Sequence, residues 1–324
     1  MKTREINVNY EWGKLCEVIV GIGEGLLIPT HCENINFLCD QHFIETMQNL
    51  GGKSADEMTP GLTAEVVEQI EGLVNVLEQH GVIVHRPRPL TCAESHYLDF
   101  VQEGQMQIFA RDPLLVVGNH VIETSLKVPM RAKESFPLRD VIRHRLVGTS
   151  ANYFATPIPS PDFVEGETYL EGGDVLLNGK EVYVGNSGKA TSRAGIDWLQ
   201  HVLDPHYQVN EILISSEFRH LDSVMALLRP RLGLLCREAL RSRLPRSLND
   251  WEFINVPIED AKKMATNVLV LDSETLIMDP QHKKIIDRVR QRGQTVFEVP
   301  FDKVADWGGG FRRALHPVVR EDRN

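Results

Sequence analysis

The sequence predicts an α/β fold of repeated strand–strand–helix–strand units packed about a common axis. Two recurring patterns carry that reading. A short hairpin pattern occurs at residues 114–122 (LLVVGNHVI), 175–184 (VLLNGKEVYV) and 268–277 (VLVLDSETLI). Asn-Gly between apolar runs is a strong hairpin signal, because such turns need residues that accept positive φ. A helix–glycine–strand pattern occurs at residues 63–85 and again at 283–299. Units of this size cannot bury their apolar faces alone, so they pack against one another and enclose a central site.

Taken in order, residues 16–25 (CEVIVGIGEG) read as a strand entering a glycine-rich loop. The glycine spacing is not that of a dinucleotide fingerprint, and Leu26-Leu-Ile-Pro29 does not open a helix beneath a pyrophosphate. Residues 22–62 are expected to be an irregular N-terminal segment. His31, Cys32, Cys39 and His42 fall within it, but adjacent His31 and Cys32 are poorly placed as two zinc ligands and no C-x-x-C is present. No metal or organic cofactor is called for by any motif. Residues 63–80 form an amphipathic helix through Val66, Val67, Ile70, Leu73, Val74 and Leu77, with Thr63 as N-cap. Gly81 stops it and 82–85 follow as a strand. Residues 193–203 read as a helix, 211–215 as a strand and 224–228 as helix-like. Residues 283–292 are helical, Gly293 stops them, and 295–299 form a strand.

The chain has 324 residues, 42% hydrophobic and 25% charged, which is ordinary soluble composition. One domain spanning 1–324 is expected. A net charge of −10 without a basic stripe argues against nucleic-acid binding. No run approaches the ~18 apolar residues of a membrane span, and the N-terminus lacks the apolar stretch of a signal peptide. Five cysteines at irregular positions (16, 32, 39, 92 and 236) read as reduced, and the expected location is cytoplasmic.

Polar clusters recur at equivalent places. Arg111-Asp112 precedes the first hairpin and Glu171-Gly-Gly-Asp174 the second. Arg219-His220-Leu-Asp222 follows the strand 211–215, and Trp307-Gly-Gly-Gly-Phe-Arg-Arg313 lies near the C-terminus. Each has a structural reading: Arg111 with Asp112 as an ion pair, Glu171 to Asp174 as a surface turn that carries two acids, Asp222 as a helix cap, the glycines 308–310 as a loose tail. Together, Asp112, Glu171, Asp174 and Asp222 around one pocket would suit a cationic guest, and guanidinium is the planar five-donor cation that paired carboxylates fit. A histidine beside Glu171 would have its imidazolium stabilised and could move protons.

These motifs, from residues 11–21 (EWGKLCEVIVG) through Ala110-Arg-Asp112, Glu171-Gly-Gly-Asp174 and His220-Leu-Asp222 to Gly308-Gly-Gly-Phe-Arg312, resemble the amidinotransferase branch of the guanidino-group-modifying (pentein) superfamily. The resemblance covers nearly the whole chain. It implies a five-bladed α/β propeller of ββαβ repeats. It also implies a small-molecule guanidino or cationic amino-acid-like substrate, gripped by Asp112 and Asp222, with Glu171 and His220 as the proton-transfer pair. Asp174 would support that site or hold the loop, Arg111, Gly309 and Gly310 would complete the substrate-binding set, and a homodimer is expected by the same resemblance. Family recognition of the second substrate lies partly in loops matching 157–168 and 237–250.

In that family a cysteine attacks the guanidinium carbon, and it directly follows the residue matching Arg312. Here that position is Arg313. Arginine stays protonated and cannot act as a nucleophile. Three readings follow: an enzyme using His220 and Glu171 without covalent catalysis, for hydrolysis, elimination or cyclisation; a catalytically inactive binding or regulatory relative; and an ordinary amidinotransferase in which Cys236 or another thiol reaches the site. Arg313 itself could fill the pocket as a built-in guanidinium paired with Asp112 or Asp222.

Overall fold

A computed structural model describes residues 4–33, 36, 41–160, 162 and 166–322. Cys39 and several residues of the 157–168 loop lie outside the described residues, as does the side chain of His42.

Strand β1 (Lys14–Val20) and β2 (Ile22–Leu27) lead through helices Gln41–Leu50, Ala55–Met58 and Leu62–Gln79 to β3 (Ile83–His85), which pairs parallel with β1. Strand β4 (Gln105–Gln107) pairs antiparallel with β2. Three further sheets follow one plan, a hairpin whose second strand pairs parallel with a third. They are β5 (Leu114–Val117), β6 (His120–Glu123) and β7 (Asn152–Ala155); β8 (Val175–Asn178), β9 (Glu181–Asn186) and β10 (Gln208–Leu213); and β11 (Met225–Arg229), β12 (Leu232–Leu235) and β13 (Glu252–Asn255). A fourth is β14 (Leu269–Asp272), β15 (Thr275–Met278) and β16 (Thr295–Glu298). The C-terminal strand β17 (Leu315–Glu321) runs antiparallel to β1, from Lys14 opposite Glu321 to Val20 opposite Leu315. It supplies the missing first strand of the sheet that β1 and β3 begin, so five sheets share one topology and the two ends of the chain close the set.

Helices cover the crossovers as the periodicity implies. Leu62–Gln79 buries Leu62, Val66, Ile70, Leu73, Val74 and Leu77, and each such side chain removed from water contributes roughly 1.5–3 kcal/mol. Its N-cap is Gly61 at φ 85°, in place of the expected Thr63, so the turn before the helix uses the left-handed conformation open to glycine. Arg193–Leu203 matches the expected helix and is capped by Ser192, whose hydroxyl accepts the Gly195 amide.

Two expectations are corrected. Residues 224–228 are not helical: Met225–Arg229 is a strand whose residues pair with β12. Methionine, alanine and leucine are good helix formers, but a short unbroken apolar run has no periodicity to tell the two states apart, and burial in a sheet decides it. The segment 22–62 is not irregular throughout, since it holds β2 and two of the helices.

Candidate active site

The polar clusters occupy one structural position. Asp112 lies just before β5, Glu171 to Asp174 just before β8, His220 to Asp222 just before β11, and Gly310 to Arg313 just before β17. The residues before β14 are Thr266 and Asn267, which the sequence reading did not single out. Each sheet therefore delivers polar groups from the entry to its first strand.

Backbone packing at this convergence explains the glycines. A Cβ on Gly172 would lie 2.0 Å from the Arg111 carbonyl oxygen, and one on Gly173 would lie 2.8 Å from Asp112 Oδ1 and 3.0 Å from His220 Cγ. Glycine is needed because neighbouring motifs press on this turn. Asp174 sits behind it. Its Oδ1 accepts the Leu221 amide at 3.0 Å and its Oδ2 the Thr191 amide at 3.2 Å, which fixes the segment carrying His220. Burial pushes the Asp174 carboxyl up to about 6.

Asp112, Glu171 and His220 come together, all fully buried. His220 Nε2 lies 2.7 Å from Glu171 Oε2, and its Nδ1 has no hydrogen-bond partner among the described residues. Glu171 Oε1 accepts the Lys127 amide at 3.0 Å and Arg219 Nη2 at 2.9 Å. Burial raises the Glu171 carboxyl, but the Arg219 charge and the His220 hydrogen bond outweigh it and hold the group below the ordinary carboxylate range. Asp112 Oδ1 accepts the Gly173 amide at 3.2 Å. Its Oδ2 takes two guanidinium groups, Arg131 Nη1 at 2.9 Å and Arg313 Nη2 at 2.6 Å. Burial again opposes ionisation, and the charges of Arg313, His220 and Arg131 hold Asp112 well below the usual range.

Arg313 is itself buried. Its Nη1 donates to the Gly308 carbonyl, its guanidinium carbon lies 4.9 Å from the Phe109 ring centroid, and its amide donates to Asn267 Oδ1 at 3.1 Å. The Gly310 amide donates to the same Asn267 oxygen at 3.1 Å. Arg131 also forks onto Glu134, Nε to Oε1 at 2.8 Å and Nη2 to Oε2 at 2.9 Å. Neither Arg131 nor Glu134 was singled out from sequence. In residues 129–134 (PMRAKE) they look like a solvated charged turn, and only tertiary packing buries them. Asn267 was findable, because the repeat places it where the other clusters fall.

Asp222 and Arg111 go elsewhere. Asp222 Oδ2 accepts Arg312 Nη1 at 3.1 Å, and Arg312 forks onto Glu11, Nε to Oε2 at 3.0 Å and Nη2 to Oε1 at 2.9 Å. Arg111 Nε donates to the Arg312 carbonyl at 3.2 Å, so the Arg111–Asp112 ion pair considered from sequence does not form. Neighbours in sequence thus divide: Asp112 and Arg313 lie with His220, while Arg312 pairs with Glu11 and Asp222 and Arg111 bonds the Arg312 carbonyl. Cys236 is buried at the end of β12, where its amide donates to Val224 O at 2.8 Å, and burial pushes its thiol up.

The set can hold cations, but its acids already have them. Asp112, Glu171 and His220 offer ligand atoms within 4.8 Å of one another; Arg131, Arg219 and Arg313 sit on the carboxylates a metal would use. Chemically, the arrangement can bind a guanidinium at Asp112 in exchange for an internal one, and can move a proton at His220.

A family model described as "N,N dimethylarginine dimethylhydrolase, eukaryotic" matches residues 36–320. The chain belongs to this family. Within the pentein superfamily it stands in the amidinotransferase branch. It is 25% identical to mitochondrial glycine amidinotransferase of Gallus gallus over 93% of this chain and 79% of the relative. It is 25% identical to inosamine-phosphate amidinotransferase 1 of Streptomyces griseus over 98% of each chain. The solved structure of the Streptomyces griseus inosamine-phosphate amidinotransferase superposes with a TM-score of 0.85 at 25% identity, over 99% of this chain and 98% of that one. An amidinotransferase of saxitoxin biosynthesis from Microseira wollei gives 0.84 at 24% identity over 98% of each. The five sheets are the α/β fold of the penteins. No helix among the described residues is long and apolar enough to cross a membrane.

Proposed function

We propose that this pentein takes an arginine-like guanidino or cationic amino-acid-like compound at the Asp112–Glu171–His220 centre and acts on it by acid–base chemistry, without a covalent amidino-enzyme. The observation that carries this is the His220–Glu171 contact at 2.7 Å beside Asp112. It is a proton-transfer pair whose other ring nitrogen has no partner among the described residues. Arg313 stands at the position matching the family nucleophile, and no thiol is assigned to the reaction. The ligand's guanidinium would exchange with that of Arg313 at Asp112 Oδ2, while the hydrogen bond to Glu171 orients the His220 ring. Asp222, bound to Arg312, is not assigned a gripping role in this reading. One domain, a cytoplasmic location and a homodimer belong to the same reading by likeness to the family.

The Arg313–Asp112 pair favours a second reading, a binding or regulatory relative whose charged site is closed by its own arginine. Incubation with guanidino-labelled arginine, with and without amine acceptors, separates the two. Loss or transfer of label that falls by about 10²–10⁴-fold in His220→Ala supports the enzyme. Arginine returned unchanged excludes arginine as the substrate of this chemistry and directs the test to other cationic amino acids. Ligand-induced stabilisation without turnover of any of them supports the binding protein.

A further inference from the structure

A second polar centre lies where the first strands of the five sheets meet. Leu176 of β8, Ala226 and Leu227 of β11, Leu269 and Val270 of β14, and Arg320 of β17 line one cavity, together with Arg111 just before β5, Arg312 and Glu11. One strand, or the entry to one, from each sheet places this cavity on the common axis. Its volume is ≈ 10 Å³, about the room one water-sized occupant needs.

The charges around it do not balance. Three guanidinium groups, Arg111, Arg312 and Arg320, are buried with two carboxylates, Glu11 and Asp222. Arg312 takes both oxygens of Glu11 and one of Asp222. Arg320 donates to carbonyls, those of Gly13 and Val270. Arg111 is 4% exposed, and among the described residues no carboxylate is bonded to it and its Nη2 has no partner. A buried guanidinium with no bonded counter-ion is costly, and because arginine keeps its proton the cost is relieved by pairing. Nearby His316 does not add charge, because burial and the charges of Arg111 and Arg312 hold it well below the usual imidazole range.

We propose that the axial cavity is a site for one monatomic anion, chloride in the cell, held by Arg111 Nη2 with Arg320 facing it. The cavity is too small for phosphate or a carboxylate and admits one small particle, and the unpaired Arg111 guanidinium favours an anion over water there. Through the bond from Arg111 Nε to the Arg312 carbonyl, and from the Arg111 amide to the Arg313 carbonyl at 3.2 Å, the anion would steady the segment that carries Arg313.

The test refolds the full chain in bromide, crystallises it, and collects data at the bromine edge. An anomalous peak beside Arg111 Nη2 is expected. Water alone at that position overturns the proposal. Melting temperature is measured in parallel in sodium chloride and in sodium gluconate of equal ionic strength. Chloride should raise Tm saturably, by about 2–4 °C, in the wild type. Arg111→Leu, which removes both the charge and the orphan donor, should lose that dependence. A chloride effect that persists unchanged in Arg111→Leu contradicts the site. Should Arg111→Leu not fold, the bromide experiment on the wild type decides alone.

Discussion

Arg313 Nη2 lies 2.6 Å from Asp112 Oδ2, so the acid that family likeness assigns to a substrate guanidinium already holds a guanidinium from its own chain. The same carboxylate oxygen also accepts Arg131. Both arginines and Asp112 are almost wholly buried. The pair is therefore a desolvated one, in which removing one partner is felt strongly.

Arg313→Ala should destabilise the protein by about 3 kcal/mol, because Asp112 keeps only Arg131 as a bonded counter-ion and the contact with Phe109 is lost. Urea unfolding followed by circular dichroism measures this. An unchanged midpoint would mean that the pair contributes nothing to stability.

The two glycines of the Glu171–Asp174 turn should differ in sensitivity. An added methyl on Gly172 meets backbone, the Arg111 carbonyl, which cannot move without the segment leading into β5. On Gly173 it meets the Asp112 and His220 side chains. Gly172→Ala should cost more than the roughly 1–3 kcal/mol of ordinary overpacking. Gly173→Ala should stay within that range but push His220 and Asp112 apart and reduce any ligand binding. Equal melting temperatures for the two variants would contradict this packing.

Asp112 and Asp174 should show opposite pH linkage. Asp112 is held well below the usual range, so its charge contributes fully above the unfolded carboxylate pKa of about 4, and that contribution is lost as pH falls through the lower folded value. Asp174 is raised to about 6, so between about 4 and 6 the folded state keeps a proton the unfolded state has released. Its contribution is complete below that window and is lost as pH rises through it. The stability difference between wild type and Asp112→Asn should rise with pH, and that between wild type and Asp174→Asn should fall. Unfolding free energies across the acid range check both signs, and parallel curves would refute the assignment.

Much of this architecture is written in local sequence signals. Hairpins 114–122, 175–184 and 268–277 and the helix 193–203 fall where turn chemistry and periodicity put them, because local signals and tertiary packing agree there. The strand Met225–Arg229 was not legible, since its residues favour a helix and only pairing with β12 overrides them. Within the site, the convergence of Asp112, Glu171 and His220 followed from their matching places in the repeat. The division of Arg111 from Asp112 did not, because spacing along the chain does not say which way a buried side chain turns. Arg131 and Glu134 carried no signal at all, for a charged turn looks the same whether solvated or buried.

The most direct test of the account is competition for Asp112. Binding of L-arginine and of guanidinium ion, with urea as the uncharged control, is measured by calorimetry on the wild type and on Arg313→Ala. If Arg313 occupies the guanidinium position, its removal frees the acid, and the variant should bind the two cations at least about 10-fold more tightly than the wild type and ignore urea. Equal affinities in the two proteins, or no binding of either cation to Arg313→Ala, would contradict the claim that Asp112 is a guanidinium site closed by the chain's own arginine.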